Sequence, residues 1–325
     1  MKARIISTGS YVPEKVLTNF DLEKMVETSD EWITERTGIK ERRIASPEQA
    51  TSDLAYEASV KALKNAGLNA EDIDLIIVAT ISPDMLTPSA ACILQMKLGA
   101  VNAIAFDINA ACTGFIYALS VADKFIKTGA SKKALVVGAE TLSRFTDWTD
   151  RTTCVLLADG AGAVILEPTK NDDGIQTIDI FSDGTMWDFI HIPAGGSRIP
   201  VTEEVIKKRL NFLKMRGNDT FKVAVRTLEE VVSTTLKNTG IDSSQLSLLV
   251  PHQANIRIIQ AMAKRLELPM EKVMININKY GNTSAASIPI ALDEANQEGR
   301  IKRGDYIILA AFGAGLTWGA ALIKW

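Results

Sequence analysis

Two histidines and three cysteines in 325 residues set the first limits. Cys92, Cys112 and Cys154 cannot all pair with one another, and none stands at metal-ligand spacing, which argues against a disulfide scaffold or a zinc site. Unpaired thiols point to a reducing compartment, so a cytoplasmic protein is expected. No apolar run approaches the ~20 residues of a membrane helix. The N-terminal Met1-Lys2-Ala3-Arg4-Ile5-Ile6-Ser7 has too short an apolar run for a signal peptide. Neither charge sign is in excess: 36 basic residues face 39 acidic ones, for a net charge of −3. That gives no footprint for nucleic-acid binding. A hydrophobic share of 46% with 23% charged residues is ordinary for a globular chain. The shortage of histidine has a chemical consequence: any reaction that needs an imidazole must use His191 or His252.

The most informative stretch surrounds Cys112. Ala103 to Ile108 predicts a buried strand. Small residues follow, and Phe115, Leu119, Ala122 and Ile126 then recur at helical spacing. Cys112 therefore falls where a strand passes into a helix, beside amides that have no partner inside the helix and at the positive end of its dipole. A thiol there is expected to have a lowered pKa and to serve as a nucleophile. A buried structural cysteine fits the same local pattern.

Elsewhere the pattern predicts a strand over residues 3–9 and a helix from Thr18 or Asn19. Asp30 to Gly38 reads as a short amphipathic helix. Its Trp32 and Arg36 either cover the core or meet a flat anionic ligand. A helix over 51–66 can be capped by Thr51 or Ser52 and ends at Gly67. Cys154–Leu157 and Ala161–Glu167 predict a strand pair joined at Asp159-Gly160. Residues 168–219 are rich in turn signals, and His191 lies there in a Gly/Pro-rich loop with no chemical partner in view.

An internal repeat organises the chain. Lys64-Asn65-Ala66-Gly67-Leu68-Asn69 is matched by Lys237-Asn238-Thr239-Gly240-Ile241-Asp242, each followed by a buried strand. Gly160-Ala161-Gly162-Ala163-Val164 is echoed near the C-terminus by Gly313-Ala314-Gly315, with Gly319-Ala320-Ala321 beyond it. One α/β unit has been duplicated, implying parallel-rich sheets covered by helices. The expected division is an N-terminal half over 1–170 carrying Cys112, an irregular connector over 171–220, and a C-terminal half over 221–325.

In the second half, Leu248-Leu249-Val250 runs into Pro251-His252-Gln253-Ala254-Asn255. His252 thus stands at the carboxyl end of a strand, where open α/β folds place their sites. A further strand over Val273–Ile277 leads to Asn282, which is either a helix cap or an amide donor to an oxyanion.

These segments together resemble the β-ketoacyl-[acyl-carrier-protein] synthase III family. The resemblance rests on Asn109-Ala110-Ala111-Cys112-Thr113-Gly114-Phe115, Pro251-His252-Gln253-Ala254-Asn255-Ile256-Arg257, Tyr280-Gly281-Asn282-Thr283-Ser284-Ala285-Ala286 and Phe312-Gly313-Ala314-Gly315-Leu316-Thr317-Trp318-Gly319. Thr28-Ser29-Asp30-Glu31-Trp32 with Arg36-Thr37-Gly38 adds to it, and together they span most of the chain. The family has the duplicated thiolase-like fold, a five-layered αβαβα sandwich. The resemblance implies a Cys112 nucleophile acylated by acyl-CoA, with His252 and Asn282 donating to the thioester oxygen of malonyl-ACP as it loses CO₂. The enolate then undergoes Claisen condensation with the acyl group. Phe312, Gly313 and Ala314 would shape the pocket and a second oxyanion hole. Trp32 and Arg151 would hold the adenine of CoA, Arg36 its phosphates, and Thr28, Gly217, Ala254 and Asn255 its pantetheine arm. Gln253 and Arg257 would meet the acyl carrier protein. No metal or redox cofactor is implied, and a homodimer is. Thr87 stands where relatives restricted to acetyl primers often carry Phe and reach into the partner's acyl pocket. Primers longer than acetyl, straight or branched, are therefore expected. The segment 192–211 is left without a role.

Overall fold

The computed structural model describes residues 1–325. The repeat seen in the sequence becomes two sheets of matching topology. The first contains β1 (Lys2–Tyr11), β2 (Leu75–Ala79), β3 (Ile104–Ile108), β4 (Ala134–Thr141) and β5 (Asp159–Thr169), in the order β1-β5-β4-β2-β3. The second contains β6 (Gly174–Ser182), β7 (Leu246–Pro251), β8 (Tyr306–Gly313) and β9 (Thr317–Lys324), in the order β6-β9-β8-β7. In both, the first two neighbours and the next pair run antiparallel, and the strands beyond run parallel. The second sheet's β6 begins at Gly174, so part of the stretch expected to be an irregular connector is a nine-residue strand.

Seven longer helices complete the layers: α1 (Asp30–Thr37), α2 (Thr51–Ala66), α3 (Ala90–Leu98), α4 (Gly114–Thr128), α5 (Gly217–Thr239), α6 (Ile256–Arg265) and α7 (Ser287–Gln297). One core joins Leu54, Ala58 and Ala62 of α2 and Leu94 of α3 to the outer face of the first sheet. Another joins Leu228, Val232, Ile259 and Met262 of α5 and α6 to the outer face of the second. The largest lies between the sheets, where Phe115, Ile116 and Leu119 of α4 meet Ile288, Ala291 and Leu292 of α7. This is the five-layered αβαβα sandwich. Burying each large apolar side chain of the central layer contributes about 1.5–3 kcal/mol. The two central helices are buried on nearly every side, which explains their small residues. Close approach also constrains the strands: a Cβ on Gly138 of β4 would lie 2.2 Å from the Ala285 carbonyl oxygen. The turn into α7 can rest on β4 only over a bare backbone.

Several local expectations differ from what forms. Helix α2 is capped by Ala50, whose amide donates to Asp53, rather than by Thr51 or Ser52. Residues 151–154 make a helical turn, and Asp159 to Thr169 is one strand, because Asp150 caps the turn and draws the chain out of the sheet. Val273–Ile277 makes a single rung, at Leu249, before the chain turns helical at Ile277. The Oε1 of buried Gln253 accepts the amides of Asn276 and Ile277 at 3.1 and 3.2 Å, which removes them from the ladder.

Candidate active site

Cys112 lies in a 3₁₀ turn, Ala111–Thr113, between β3 and α4. Ala111 has φ of +46°, an unusual backbone for a residue with a Cβ. Such strain often marks a functional turn. Gly313, at the end of β8, packs on it so closely that a Cβ there would lie 2.8 Å from the Cys112 amide nitrogen. Phe312 is buried beside it. Ala314 lines an apolar cavity of about 50 Å³ together with Ala111, Cys112, Leu142, Leu157, Asn282 and Ser284. The cavity therefore joins residues of both halves. A shallower surface depression lined by Asp30, Glu31, Glu35 and Glu41 is acidic and contains none of these groups.

The Cys112 thiol is not acidified. Burial pushes it up to about 11, and the nearby Glu140 carboxyl adds to the rise, outweighing the Ser284 hydroxyl and the residue's own amide. The expected lowering does not occur because the thiol sits in the turn ahead of α4, half-buried on a mostly apolar cavity. Glu140, at the end of β4, is fully buried with no basic partner. It accepts the Ser82 hydroxyl at 2.5 Å, the Thr80 hydroxyl at 3.2 Å and the Ile81 amide. Burial raises it to about 7.

His252 is buried at the end of β7, and burial lowers it to about 4, so the ring is neutral near neutral pH. Its Nδ1 lies 2.6 Å from the Ser287 hydroxyl, at the start of α7. Asn282 precedes the turn into α7. Its Oδ1 accepts the Ser284 amide at 2.9 Å, which fixes the side chain and leaves Nδ2 without a protein acceptor, and the residue lines the cavity. Its backbone joins Leu156 and Ala158 at 2.9 and 3.0 Å.

Trp32 of α1 is flanked by two guanidinium groups, Arg151 at 4.9 Å and Arg36 at 5.9 Å from the ring centre. Arg151 is held by the Glu27 carbonyl at 2.8 Å. Close by in sequence, the Thr28 hydroxyl is buried without a partner. The Asn255 amide donates to the Arg36 carbonyl at 3.0 Å, so the His252 loop is tied to this group. Asn255 also caps α6 by accepting the Arg257 amide. Its side chain holds the loop. Ala254 is half-buried in the same loop, and Gly217 is exposed at the start of α5.

Two expectations require correction or relocation. Gln253 cannot meet a carrier protein: it is 1% exposed, its amide donates to the Pro251 and Met274 carbonyls, and its oxygen is taken by two backbone amides. Arg257 is exposed, over the Phe221 ring at 5.6 Å. Thr87 is exposed on the surface and does not line the Cys112 cavity of its own chain. His191 is paired in a two-residue strand with Lys214 and bonded to the Asp188 carbonyl, apart from the site. Within 192–211, Arg209 binds Asp147 at 2.6 Å and pins the segment to the loop before Arg151. Glu140, Ser284 and Ser287 escaped sequence reasoning. A lone acid ending an otherwise apolar strand was the available signal for the first.

Two family models match the chain: 3-oxoacyl-[acyl-carrier-protein (ACP)] synthase III over residues 106–184, and the C-terminal model of the same family over 236–325. The chain is 56% identical over 323 residues to the beta-ketoacyl-[acyl-carrier-protein] synthase III of Caldanaerobacter subterraneus, covering 99% of this chain and 98% of that one. It is 55% identical to the Clostridioides difficile protein of the same name, over 100% and 98% of the two chains. The crystal structure of 3-oxoacyl-[acyl-carrier-protein] synthase III from Aquifex aeolicus superimposes with a TM-score of 0.92 at 50% identity, over 99% of this chain and all of that one. A cavity lined by Cys112 of one half and Asn282 of the other, with relatives of this likeness along the full length, leads to one conclusion: the chain belongs to the β-ketoacyl-[acyl-carrier-protein] synthase III family.

Proposed function

We propose that the chain catalyses the initiating condensation of fatty acid synthesis through an acyl-Cys112 intermediate. Cys112 attacks the thioester of an acyl-CoA primer. The C–S bond to CoA breaks, a new one forms to Cys112, and the thiol proton ends on the CoA sulfur. With the thiol raised to about 11, a standing thiolate is not required; the proton moves as the sulfurs exchange. Malonyl-ACP enters next. As its carboxylate leaves as CO₂, the thioester oxygen becomes an enolate and accepts hydrogen bonds from His252 and Asn282 Nδ2. The enolate carbon attacks the acyl carbonyl and expels the Cys112 sulfur as a thiolate, which takes up a proton from solvent, giving 3-oxoacyl-ACP. The second oxygen is held by the Cys112 amide and the Gly313–Ala314 loop, which packing sets side by side. No metal or redox cofactor enters this sequence.

The observation that carries this reading is the single cavity formed by Cys112 and Ala111 from one half and Asn282, Ser284 and Ala314 from the other. Trp32, Arg151 and Arg36 form the receiving group for the nucleotide of CoA, with the unpartnered Thr28 hydroxyl available to the pantetheine arm. Gly217 and Ala254 bound its path. Arg257 faces the acidic carrier protein. We place the enzyme in the cytoplasm as a homodimer. β3 is an edge strand, and Met85, Leu86, Val101 and Ile104 are exposed on segments around it, an apolar surface suited to a second copy. In that dimer Thr87 meets the partner's acyl pocket and leaves room for primers longer than acetyl.

The test is stepwise. The protein is incubated with radiolabelled acetyl-, isobutyryl- and octanoyl-CoA, and malonyl-ACP is then added. Label on Cys112 that passes to 3-oxoacyl-ACP is the expected result, with a longer primer preferred. Acylation without discharge would retain the nucleophile and reject the acceptor. Absence of label from every primer would reject the catalytic reading.

A further inference from the structure

The ring of His252 has one bonded nitrogen, and the identity of that bond decides what the other nitrogen can do. Nδ1 lies 2.6 Å from the Ser287 hydroxyl oxygen. The same oxygen accepts the Gln253 amide at 3.3 Å. The Gln253 N–H can only donate, so one lone pair of the hydroxyl is taken. The hydroxyl proton has one acceptor before it, the His252 Nδ1. A hydroxyl donating to Nδ1 leaves the single proton of a neutral imidazole on Nε2. Ser287 is 2% exposed and His252 7%, so water does not compete for the bond.

The duplication provides a comparison inside the molecule. Lys64 aligns with Lys237, and at the same spacing Ala79 aligns with His252 and Gly114 with Ser287. Gly114 and Ser287 each begin the central helix of their half. A Cβ on Gly114 would lie 3.1 Å from the Cβ of Ala79. The first residue of the central helix thus faces the end of the same strand in both halves. Only the half that carries an imidazole there carries a hydroxyl opposite it.

We propose that Ser287 is a positioning residue that locks His252 in the Nε2–H tautomer, making it a hydrogen-bond donor to the reacting thioester oxygen and removing it as a base. This rests on the condensing activity above for its catalytic meaning, but the tautomer itself does not. In the locked state Nδ1 has no free lone pair, so the ring cannot take the Cys112 proton without first breaking the Ser287 bond.

The test uses the scarcity of histidine. Protein labelled with ¹⁵N-histidine contains two imidazoles, and His191→Gln assigns them. His191 Nδ1 lies 3.0 Å from the Asp188 carbonyl, so it must be the protonated nitrogen, and His191 is an internal standard of the opposite tautomer. The expected spectrum at neutral pH shows His252 protonated on Nε2 and bare on Nδ1. Ser287→Ala should move His252 toward a mixture of tautomers. It should also slow decarboxylation of malonyl-ACP by between about 10- and 100-fold, with Cys112 acylation by acyl-CoA much less affected. Ser287→Thr, which retains the hydroxyl, should restore both readouts. A wild-type His252 protonated on Nδ1 would overturn the proposal, as would a Ser287→Ala spectrum identical to wild type. A wild-type protein with the expected spectrum that never decarboxylates malonyl-ACP would reject the condensing activity and leave the tautomer lock standing.

Discussion

The two halves share a topology and a loop geometry, and they carry different side chains at matching positions. Ala111–Thr113 and Ser284–Ala286 are both 3₁₀ turns that lead into a central helix, and Ala111 and Ser284 have nearly the same positive φ, +46° and +47°. At matching positions the first half carries Cys112 and the second Ala285. At the strand ends the first carries Ala79 and the second His252. Asn109 matches Asn282, yet only the latter lines the cavity. The strained turn is therefore a property of the duplicated frame, not of the nucleophile. Backbone strain presents whatever residue occupies the turn, and the chemistry was added to one copy at each position. Under the proposed mechanism the division also keeps the two half-reactions separable: acyl transfer would need the sulfur of the first half, and decarboxylation the donors of the second.

That separation gives the largest expected effects. Cys112→Ala should abolish acylation and condensation. It should still decarboxylate malonyl-ACP, because the donors that stabilise the enolate are untouched. His252→Ala and Asn282→Ala should do the reverse: each loses one donor to a developing oxyanion, so decarboxylation should fall about 10²–10³-fold, while label from acyl-CoA still reaches Cys112. Assaying the two half-reactions separately checks both sides. If Cys112→Ala loses decarboxylation as fully as His252→Ala does, the division of labour is wrong.

A second contrast concerns charge. The first half holds the buried carboxyl of Glu140, and the matching position of the second half is Gly313. Glu140 is raised from 4.5 to about 7 by burial. A carboxyl raised in the folded state stabilises the protein most fully below its unfolded value, and that contribution is lost as pH rises through the folded one. The span corresponds to about 3 kcal/mol, at about 1.4 kcal/mol per unit of pKa. Stability should therefore carry a downward component between about pH 4.5 and 7, and Glu140→Gln should flatten it. Denaturant midpoints across this range measure the slope. The same variant removes the charge that helps raise Cys112, so alkylation of the thiol should become faster at pH 8. An unchanged slope would mean that the first half's polar pocket compensates its own carboxyl, and the contrast between halves would then be one of packing alone.

The frame was legible in the sequence because duplication leaves periodic traces. Apolar strands, glycine helix ends and the Lys64 and Lys237 segments are local patterns that repeat. The positions of Cys112, His252 and Asn282 were legible because each stands in a recognisable strand-to-loop motif. The acidity of Cys112 was not, since proximity to a helix start can be read from spacing, whereas the burial that overrides it depends on strands far away in the chain. Gln253 shows the same limit. Between His252 and Asn255 it reads as a surface loop residue, but four internal bonds make it the pin that turns Val273–Ile277 out of the sheet. Ser287 stands one residue past the motif around Asn282. Its function depends on a contact across 35 residues that no spacing reveals.

The smallest effect should fall on primer binding, where the first half again acts nearly alone. Trp32 has Arg151 and Arg36 within cation–π distance of its ring, with no residue of the second half in this group; Asn255 bonds the Arg36 backbone. Each cation–π contact at a half-exposed site contributes about 0.5–1 kcal/mol, and an adenine ring would add its own stacking. Trp32→Ala should therefore raise the KM for acyl-CoA by about five- to thirty-fold, equivalent to about 1–2 kcal/mol of binding lost equally from ground and transition states. The kcat should hold, and the KM for malonyl-ACP should not change, because the carrier protein brings no adenine. Steady-state kinetics with each substrate varied in turn separates these outcomes. A rise in both KM values would mean that α1 supports the whole entrance rather than one ligand. A fall in kcat with KM unchanged would move Trp32 from the binding group to the support of the His252 loop, through the single bond that joins Asn255 to Arg36.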